Sequence, residues 1–126
     1  MVYNQKGTKL MNVELTKLKE LNQLGVVTAH NNGPTADLVI QLFETKPAIW
    51  HAELLEHDVY GVTHYSIPTI VATERDGEHI GENDIRNTIE ILEEHFYACD
   101  AIKIQGGQEF GGRFENRPPL IFLWWD

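Results

Sequence analysis

The pattern that most constrains the fold is an amphipathic helix signal over residues 83–99. Asn83 stands where an N-cap belongs, and Asp84 lies in the first turn, where an acidic side chain favours a helix. Apolar residues follow at steps of four, three, four and three, which is the spacing of one helical face. This apolar stripe consists of Ile85, Ile89, Leu92, Phe96 and Cys99, and the outer face carries Glu90, Glu93 and Glu94. The spacing predicts one helix that packs on the core through the apolar stripe.

A second helix is predicted over residues 13–24. Asn12 is a suitable N-cap, and Gly25 is a good terminator. Between them, leucines recur at helical spacing at positions 15, 18, 21 and 24. The first eleven residues are predicted to form a flexible arm ahead of this helix.

Most of the remaining chain favours strands. Alternating or continuous apolar residues bounded by turn residues predict strands at 26–30, 37–44, 59–65, 69–74, 101–105 and 120–125. Residues 48–57 fit either a strand or a short helix opened by Pro47, and the β-rich neighbouring segments favour a strand. Turns are expected at 31–34 and 75–78, and Pro68 is expected to separate two strands. The last run, 120–125, is uniformly apolar and is predicted to be buried on both faces.

These elements predict a single α+β domain over residues 1–126, with an antiparallel or mixed sheet packed by two amphipathic helices. The chain has one cysteine, Cys99, which excludes an intramolecular disulfide and a cysteine-based zinc site. No apolar run is long enough to span a membrane, and the N-terminus lacks the apolar stretch of a signal peptide. We therefore expect a cytoplasmic protein without a membrane partner.

Charge is distributed unevenly along the chain. The net charge is −9, and residues 48–100 alone carry two arginines against twelve acidic side chains, a net charge of −10. A protein that binds the backbone of a nucleic acid needs a positively charged surface, so direct binding of this acidic chain to nucleic acid is not expected. The acidic block is interpreted either as a solvated face or as a surface that docks on a basic protein and inhibits it. Small acidic domains without a catalytic motif are common among phage-encoded inhibitors and immunity proteins, which is an analogy of composition alone.

The segment 105–119 has the composition of a ligand site. Two Gly-Gly pairs allow the backbone to approach a ligand closely, and two arginines match the geometry of a phosphate. Phenylalanines can stack on a base, and amide side chains can read its hydrogen-bonding edge. The candidate ligand-binding residues are Gln105, Gln108, Phe110, Gly111, Gly112, Arg113, Phe114, Asn116 and Arg117. The alternative is a wide turn in which the arginines pair with Glu109 and Glu115.

This segment favours a non-enzymatic protein that binds a phosphorylated nucleotide-type ligand, with no cofactor, and that sequesters a signalling molecule. A metal-dependent enzyme is the remaining hypothesis. His51, Glu53 and His57 share one face if 48–57 is a strand, and His64 follows on the next strand. His51-Ala52-Glu53 also resembles half of a zinc-deaminase signature, but the required Pro-Cys-x-x-Cys segment is missing.

Nucleophilic catalysis has little support in the sequence. Ser66 is the only serine, and it does not lie in a Gly-x-Ser-x-Gly elbow. Cys99 lies on the predicted apolar stripe, where the helix C-terminus and Asp100 would raise the pKa of its thiol, so a packing role is expected.

Two tryptophans end the chain's last apolar run. Because aromatic residues are enriched in interface cores, we expect a homo-oligomer, most simply a dimer, with Trp124 or Trp125 at its interface.

Overall fold

The computed structural model describes residues 10–105 and 120–126. Within them the strands are β1 (Leu10–Val13), β2 (Val27–Ala29), β3 (Trp50–Val59), β4 (Val62–Thr73), β5 (Ala101–Gln105) and β6 (Leu120–Trp124). The helices are α1 (Leu15–Gln23), α2 (Ala36–Thr45), α3 (Glu82–Leu92) and α4 (Glu94–Tyr97). The fold is α+β, as the sequence predicts.

The six strands form one mixed sheet. Its main order is β1-β3-β4-β6-β5, and every neighbouring pair along this path is antiparallel. Strand β2 is the exception, because it runs parallel to the first half of β4. Strand β4 therefore has β3 along one edge and two successive neighbours along the other, β2 beside Tyr65–Ile67 and β6 beside Thr69–Thr73.

The helices cover one face of this sheet. On β3, the alternate residues Trp50, Ala52 and Leu54 are fully buried, and on β6 the same holds for Leu123. They belong to one apolar cluster with buried residues of the helices, including Leu18, Val39, Leu42, Phe43 and Leu92. Burying a large apolar side chain stabilises the fold by roughly 1.5–3 kcal/mol, so this layer holds the sheet and the helices together.

The helix predicted over residues 13–24 is present as α1 but begins later than expected, at Leu15. Residues Leu10–Val13 pair with β3 as strand β1, with Asn12 opposite Glu53. Asn12 is therefore part of the sheet and not an N-cap, and Glu14 occupies that position. The predicted arm at 1–11 overlaps this strand at residues 10 and 11.

The predicted strand at 37–44 is wrong, because this segment is helix α2. The Thr35 hydroxyl accepts a hydrogen bond from the backbone N–H of Leu38 at 3.3 Å, and Asp37 lies in the first turn. Val39, Leu42 and Phe43 are buried at helical spacing. The apolar residues of this short segment fit both the 3.6-residue period of a helix and the two-residue period of a strand. The N-cap at Thr35 favours the helix.

Residues 50–57 are extended within β3, as favoured, whereas residues 48 and 49 belong to the turn that precedes this strand. The predicted strand at 59–65 is interrupted by a turn at Tyr60 and Gly61, whose φ values are +52° and +82°. Pro68 does not end a strand, since β4 continues through it. Pro68 lies where the neighbour of β4 changes from β2 to β6. Its missing N–H therefore falls between the hydrogen bonds that pair β4 with β2 and those that pair it with β6. The turn at 75–78 is present, with a bridge between Arg75 and Glu78.

The predicted helix at 83–99 is divided in two. It begins at Glu82 with Gly81 as the N-cap in place of Asn83, and Glu93 breaks it with φ +52° and ψ −123°. The strand at 101–105 is confirmed. The last run is a strand, but its burial alternates: Ile121 and Leu123 are buried, whereas Leu120, Phe122 and Trp124 are half-buried. The prediction of burial on both faces is therefore wrong.

Candidate functional site

The face of the sheet opposite the helices, called here the distal face, carries most of the predicted chemistry. Alternation along each strand and the pairing register assign its residues. They include Thr28, His51, Glu53, Leu55, His57, His64, Ser66, Thr69, Val71, Lys103, Phe122 and Trp124. In the part of the chain that the structure describes, the apolar core cluster and its helices lie on the other face.

The four metal candidates share the distal face but lie at two places on it. His57 is directly opposite His64, whereas His51 is opposite Val71. Six residues along a strand separate His51 from His57, a distance of about 20 Å at ~3.3 Å per residue. Among residues 10–105 and 120–126, no group of three His, Cys, Asp or Glu side chains is close enough to hold a metal ion. The extended conformation was predicted correctly, but it does not gather these ligands.

His51 has a distinct electrostatic environment near the edge of the distal face. Burial lowers the pKa of its imidazole, and the nearby Arg75 guanidinium lowers it further, whereas Glu53 and Glu14 raise it. Arg75 itself is bound to the Glu14 carboxylate at 2.9 Å, and it also donates to the backbone carbonyl of Ala48. The lowered pKa favours the neutral form of His51 beside the ion pair of Arg75 and Glu14.

Ser66 has a partner that the sequence did not predict. His30 follows β2, and its Nδ1 lies 3.0 Å from the Ser66 Oγ, within hydrogen-bond distance. Burial lowers the pKa of His30, the neighbouring His57 lowers it further, and Asp126 raises it. Ser66 is only 2% exposed. A substrate cannot reach this hydroxyl, so the contact satisfies a buried polar group rather than activating a nucleophile.

The carboxyl ends of β2 and β6 meet beside Pro68. The backbone N–H of Trp125 donates to the carbonyl of Pro68 at 2.8 Å, and its indole N–H donates to the carbonyl of His95 at 2.9 Å. Asn31 donates to the carbonyl of Asp126, and the N–H of Asp126 donates to Asp100. Trp125 is fully buried. Of the two tryptophans proposed for an interface, only Trp124 has exposed surface.

The proposed ligand segment lies mostly outside the described residues. This holds for Gln108, Phe110, Gly111, Gly112, Arg113, Phe114, Asn116 and Arg117. Gln105 is the last residue of β5, where its backbone pairs with Leu120. Consequently, the two ends of the segment are neighbours on adjacent strands. The nearest distal-face pair is Lys103 and Phe122, of which Lys103 is exposed and Phe122 half-buried.

Lys103 and Phe122 were not among the candidate residues, although the strand pattern could have placed them beside the ends of the segment. Strand alternation from Leu120 places Phe122 on the face opposite Ile121 and Leu123, and the same rule separates Lys103 from Ile102 and Ile104. They were not recognised because residues 120–125 were predicted to be buried on both faces, which hides the alternation of this strand. With the observed alternation, the Phe122 ring and the Lys103 cation lie on the distal face, next to the ends of segment 105–119.

Cys99 has the packing role that its sequence position indicates. Its side chain is half-buried against the apolar cluster. Burial raises the pKa of the thiol to about 11, and Asp100 contributes in the same direction. Burial, rather than a helix dipole, is the main cause. The thiol is thus kept protonated at neutral pH, which is unsuitable for a nucleophile.

Comparisons with known proteins identify no relative. The chain matches no known protein family, and no curated protein or solved structure shows significant similarity to it. No helix among the described residues is long and apolar enough to cross a membrane.

Proposed function

We propose that this protein is a non-enzymatic binding protein for a phosphorylated nucleotide-type ligand, which it holds with residues 105–119 and the adjoining end of the distal face. The observation that carries the proposal is the in-register pairing of β5 with β6. This pairing joins both ends of the Gly/Arg segment at neighbouring strand ends, next to Lys103 and Phe122.

The length of the segment supports a binding role. Two residues are enough to connect neighbouring antiparallel strands. Here residues 106–119 stand between Gln105 and Leu120, which are paired. Long connections in compact domains are commonly functional, because a rigid scaffold positions them while leaving their side chains free to contact a ligand.

The chemistry of the segment and the adjoining face supports a phosphorylated ligand with a base. Arg113 and Arg117 can bind phosphate oxygens in a bidentate manner, and Lys103 can add a third positive charge. Aromatic rings stack on bases, and Phe122 on the distal face adds a ring to those of Phe110 and Phe114. The net charge of −9 disfavours a long polyanion, which supports a small ligand over a nucleic acid.

Calorimetric titration with mono-, di- and cyclic nucleotides tests the proposal. Hydrogen bonds to charged groups contribute on the order of 1.5–3 kcal/mol, so Arg113→Ala is expected to weaken binding by roughly 10- to 150-fold. Arg113→Lys is expected to recover little, because an ammonium keeps the charge but loses the planar fork. Lys103→Ala and Phe122→Leu are expected to produce smaller losses.

Arg86→Ala is the matched control. Arg86 is exposed on α3, in the helical layer, and it contacts Asn83. Its removal changes the net charge by the same amount as Arg113→Ala and is expected to leave affinity unchanged. A parent protein that binds none of these nucleotides would overturn the proposed function. Equal losses in the two variants would show that attraction is only a matter of net charge.

A further inference from the structure

Helix α3 buries two polar residues fully while two of its isoleucines are buried only in part. Its buried residues are Asp84, Thr88 and Leu92, spaced by four. Ile85 and Ile89, predicted to face the core, are only partly buried. The helix is therefore rotated by about one residue from the orientation that would bury its isoleucines best.

Polar contacts fix this orientation. The Asp84 carboxylate accepts hydrogen bonds from Lys46 Nζ at 3.0 Å and from the backbone N–H of Gly81 at 2.9 Å. One turn later, the Thr88 hydroxyl donates to the carbonyl of Asp84 at 2.7 Å. The Thr88 contact lies within α3 and would turn with it, whereas Lys46 is at the end of α2. A rotation that buried Ile85 and Ile89 further would therefore break the pair between Asp84 and Lys46, which a buried carboxylate requires.

The exposed parts of these isoleucines line a shallow groove along α3. Its volume is about 380 Å³, and its lining residues are Glu82, Ile85, Arg86, Ile89 and Glu90. Arg86 keeps its positive charge and donates to the neutral Asn83 side chain at 2.7 Å, so the lining residues carry two negative charges against one positive charge. Glu82 and Glu90 are exposed at its two ends, and no basic residue lies in the last turn of α3. The groove thus has an apolar floor and a negative rim.

We propose that this groove binds a short basic amphipathic helix of another protein. Two apolar side chains three or four residues apart on that helix would cover Ile85 and Ile89, and lysines or arginines beside them would meet Glu82 and Glu90. A second copy does not fit this groove, since packing α3 against an identical α3 would bring the Glu82 and Glu90 carboxylates of both copies together. The partner is therefore a protein with a basic amphipathic helix.

This surface is separate from the proposed nucleotide site. Helix α3 belongs to the helical layer, whereas Lys103 and Phe122 lie on the distal face. Either proposal can fail without affecting the other.

The test uses the full chain and a synthetic 18-residue helical peptide with leucines at alternating steps of three and four and lysines on both flanks. Calorimetry measures affinity, and NMR of isoleucine methyl groups locates the contact. We expect the methyl signals of Ile85 and Ile89 to shift. A peptide with glutamates in place of the lysines, or with serines in place of the leucines, is expected to bind at least about tenfold more weakly.

Two charge-matched double variants separate a specific groove from general attraction. Glu82→Lys with Glu90→Lys is expected to weaken binding of the lysine peptide at least about tenfold. Glu20→Lys with Asp58→Lys changes the net charge equally at exposed positions outside the groove and is expected to alter binding less than about twofold. Failure of the parent to bind, equal losses in both variants, or unshifted Ile85 and Ile89 signals would each overturn the proposal.

Discussion

Lys46 Nζ lies 3.0 Å from Asp84 Oδ2 and ties the end of helix α2 to the beginning of α3. The Asp84 side chain is only 4% exposed, and that of Lys46 is 30% exposed. Lys46 also donates to the carbonyl of His79 at 2.7 Å. The ion pair therefore fixes the position of α3 and of the segment that leads into it.

Asp84→Ala is expected to lower the free energy of unfolding by about 3 kcal/mol, because it removes one partner of a largely buried ion pair and leaves the N–H of Gly81 without its acceptor. Urea denaturation measures this loss. Glu20→Ala is the matched control, since its 3.6 Å pair with Lys17 is exposed and is expected to contribute less than about 0.5 kcal/mol. Similar losses in both variants would contradict the structural role of Asp84.

Glu93→Gly is expected to stabilise the protein by about 1 kcal/mol. Glu93 has φ +52° and ψ −123°, a conformation that a residue with a side chain adopts at a cost of ~1–3 kcal/mol and that glycine adopts freely. Part of this gain is offset by the larger entropy of glycine in the unfolded chain. Glu90→Gly, at an exposed position inside α3, should have the opposite sign and cost about 0.5–1 kcal/mol. Thermal and urea unfolding of both variants provide the comparison, and destabilisation by Glu93→Gly would show that the break carries no strain.

The break at Glu93 also shows what local patterns cannot predict. The apolar spacing across 85–99 is continuous, and no glycine or proline stands at the break. On one side of the break, Asp84 of α3 binds Lys46, and on the other the carbonyl of His95 in α4 accepts the indole N–H of Trp125. These contacts join residues far apart in the chain, so they cannot be predicted from the apolar periodicity of residues 85–99 alone.

In the candidate site, too, local features were predicted from the sequence and long-range contacts were not. Strand alternation correctly placed His51, Glu53 and His57 on one face, because that property is local to β3. The contact between His30 and Ser66 was not predicted, since it depends on the parallel pairing of β2 with β4 across 36 residues. Similarly, α2 was mistaken for a strand because its ten residues fit both periods, although Thr35 and Asp37 already indicated a helix start.

Stability is expected to fall in mildly acidic solution, with His30 contributing to the loss. The pKa of His30 in the folded protein is lowered below 6.5, chiefly by burial and then by His57. The unfolded chain therefore takes up a proton more readily, so the stabilisation is complete above pH 6.5 and is lost as the pH falls towards the folded pKa.

The variant His30→Gln removes this titration and keeps a polar side chain near Ser66. The difference in melting temperature between about pH 7.5 and about pH 5 is expected to be smaller than in the parent. His51→Gln should act in the same direction, because burial and Arg75 lower the pKa of His51 as well. An unchanged pH dependence in His30→Gln would contradict the assignment.

We expect the protein to form a homo-oligomer, most simply a dimer, through the distal face around Trp124. Trp124 is half-buried there and is paired with Thr69 of β4, which is paired in turn with Glu53 of β3, whereas Trp125 is fully buried in the core. Partly exposed aromatic rings are typical of interface cores. Light scattering at tens of micromolar should show a mass above that of the 14.4 kDa chain, and Trp124→Ala should shift the equilibrium towards the monomer.

Trp125→Ala separates interface from core effects. Since Trp125 fills the core and its indole donates to His95, the truncation is expected to cost about 3–5 kcal/mol of stability. Trp124→Ala should leave the stability of the monomer much closer to that of the parent. A parent that remains monomeric at this concentration, or a Trp124→Ala variant that associates as strongly as the parent, would contradict an interface at Trp124.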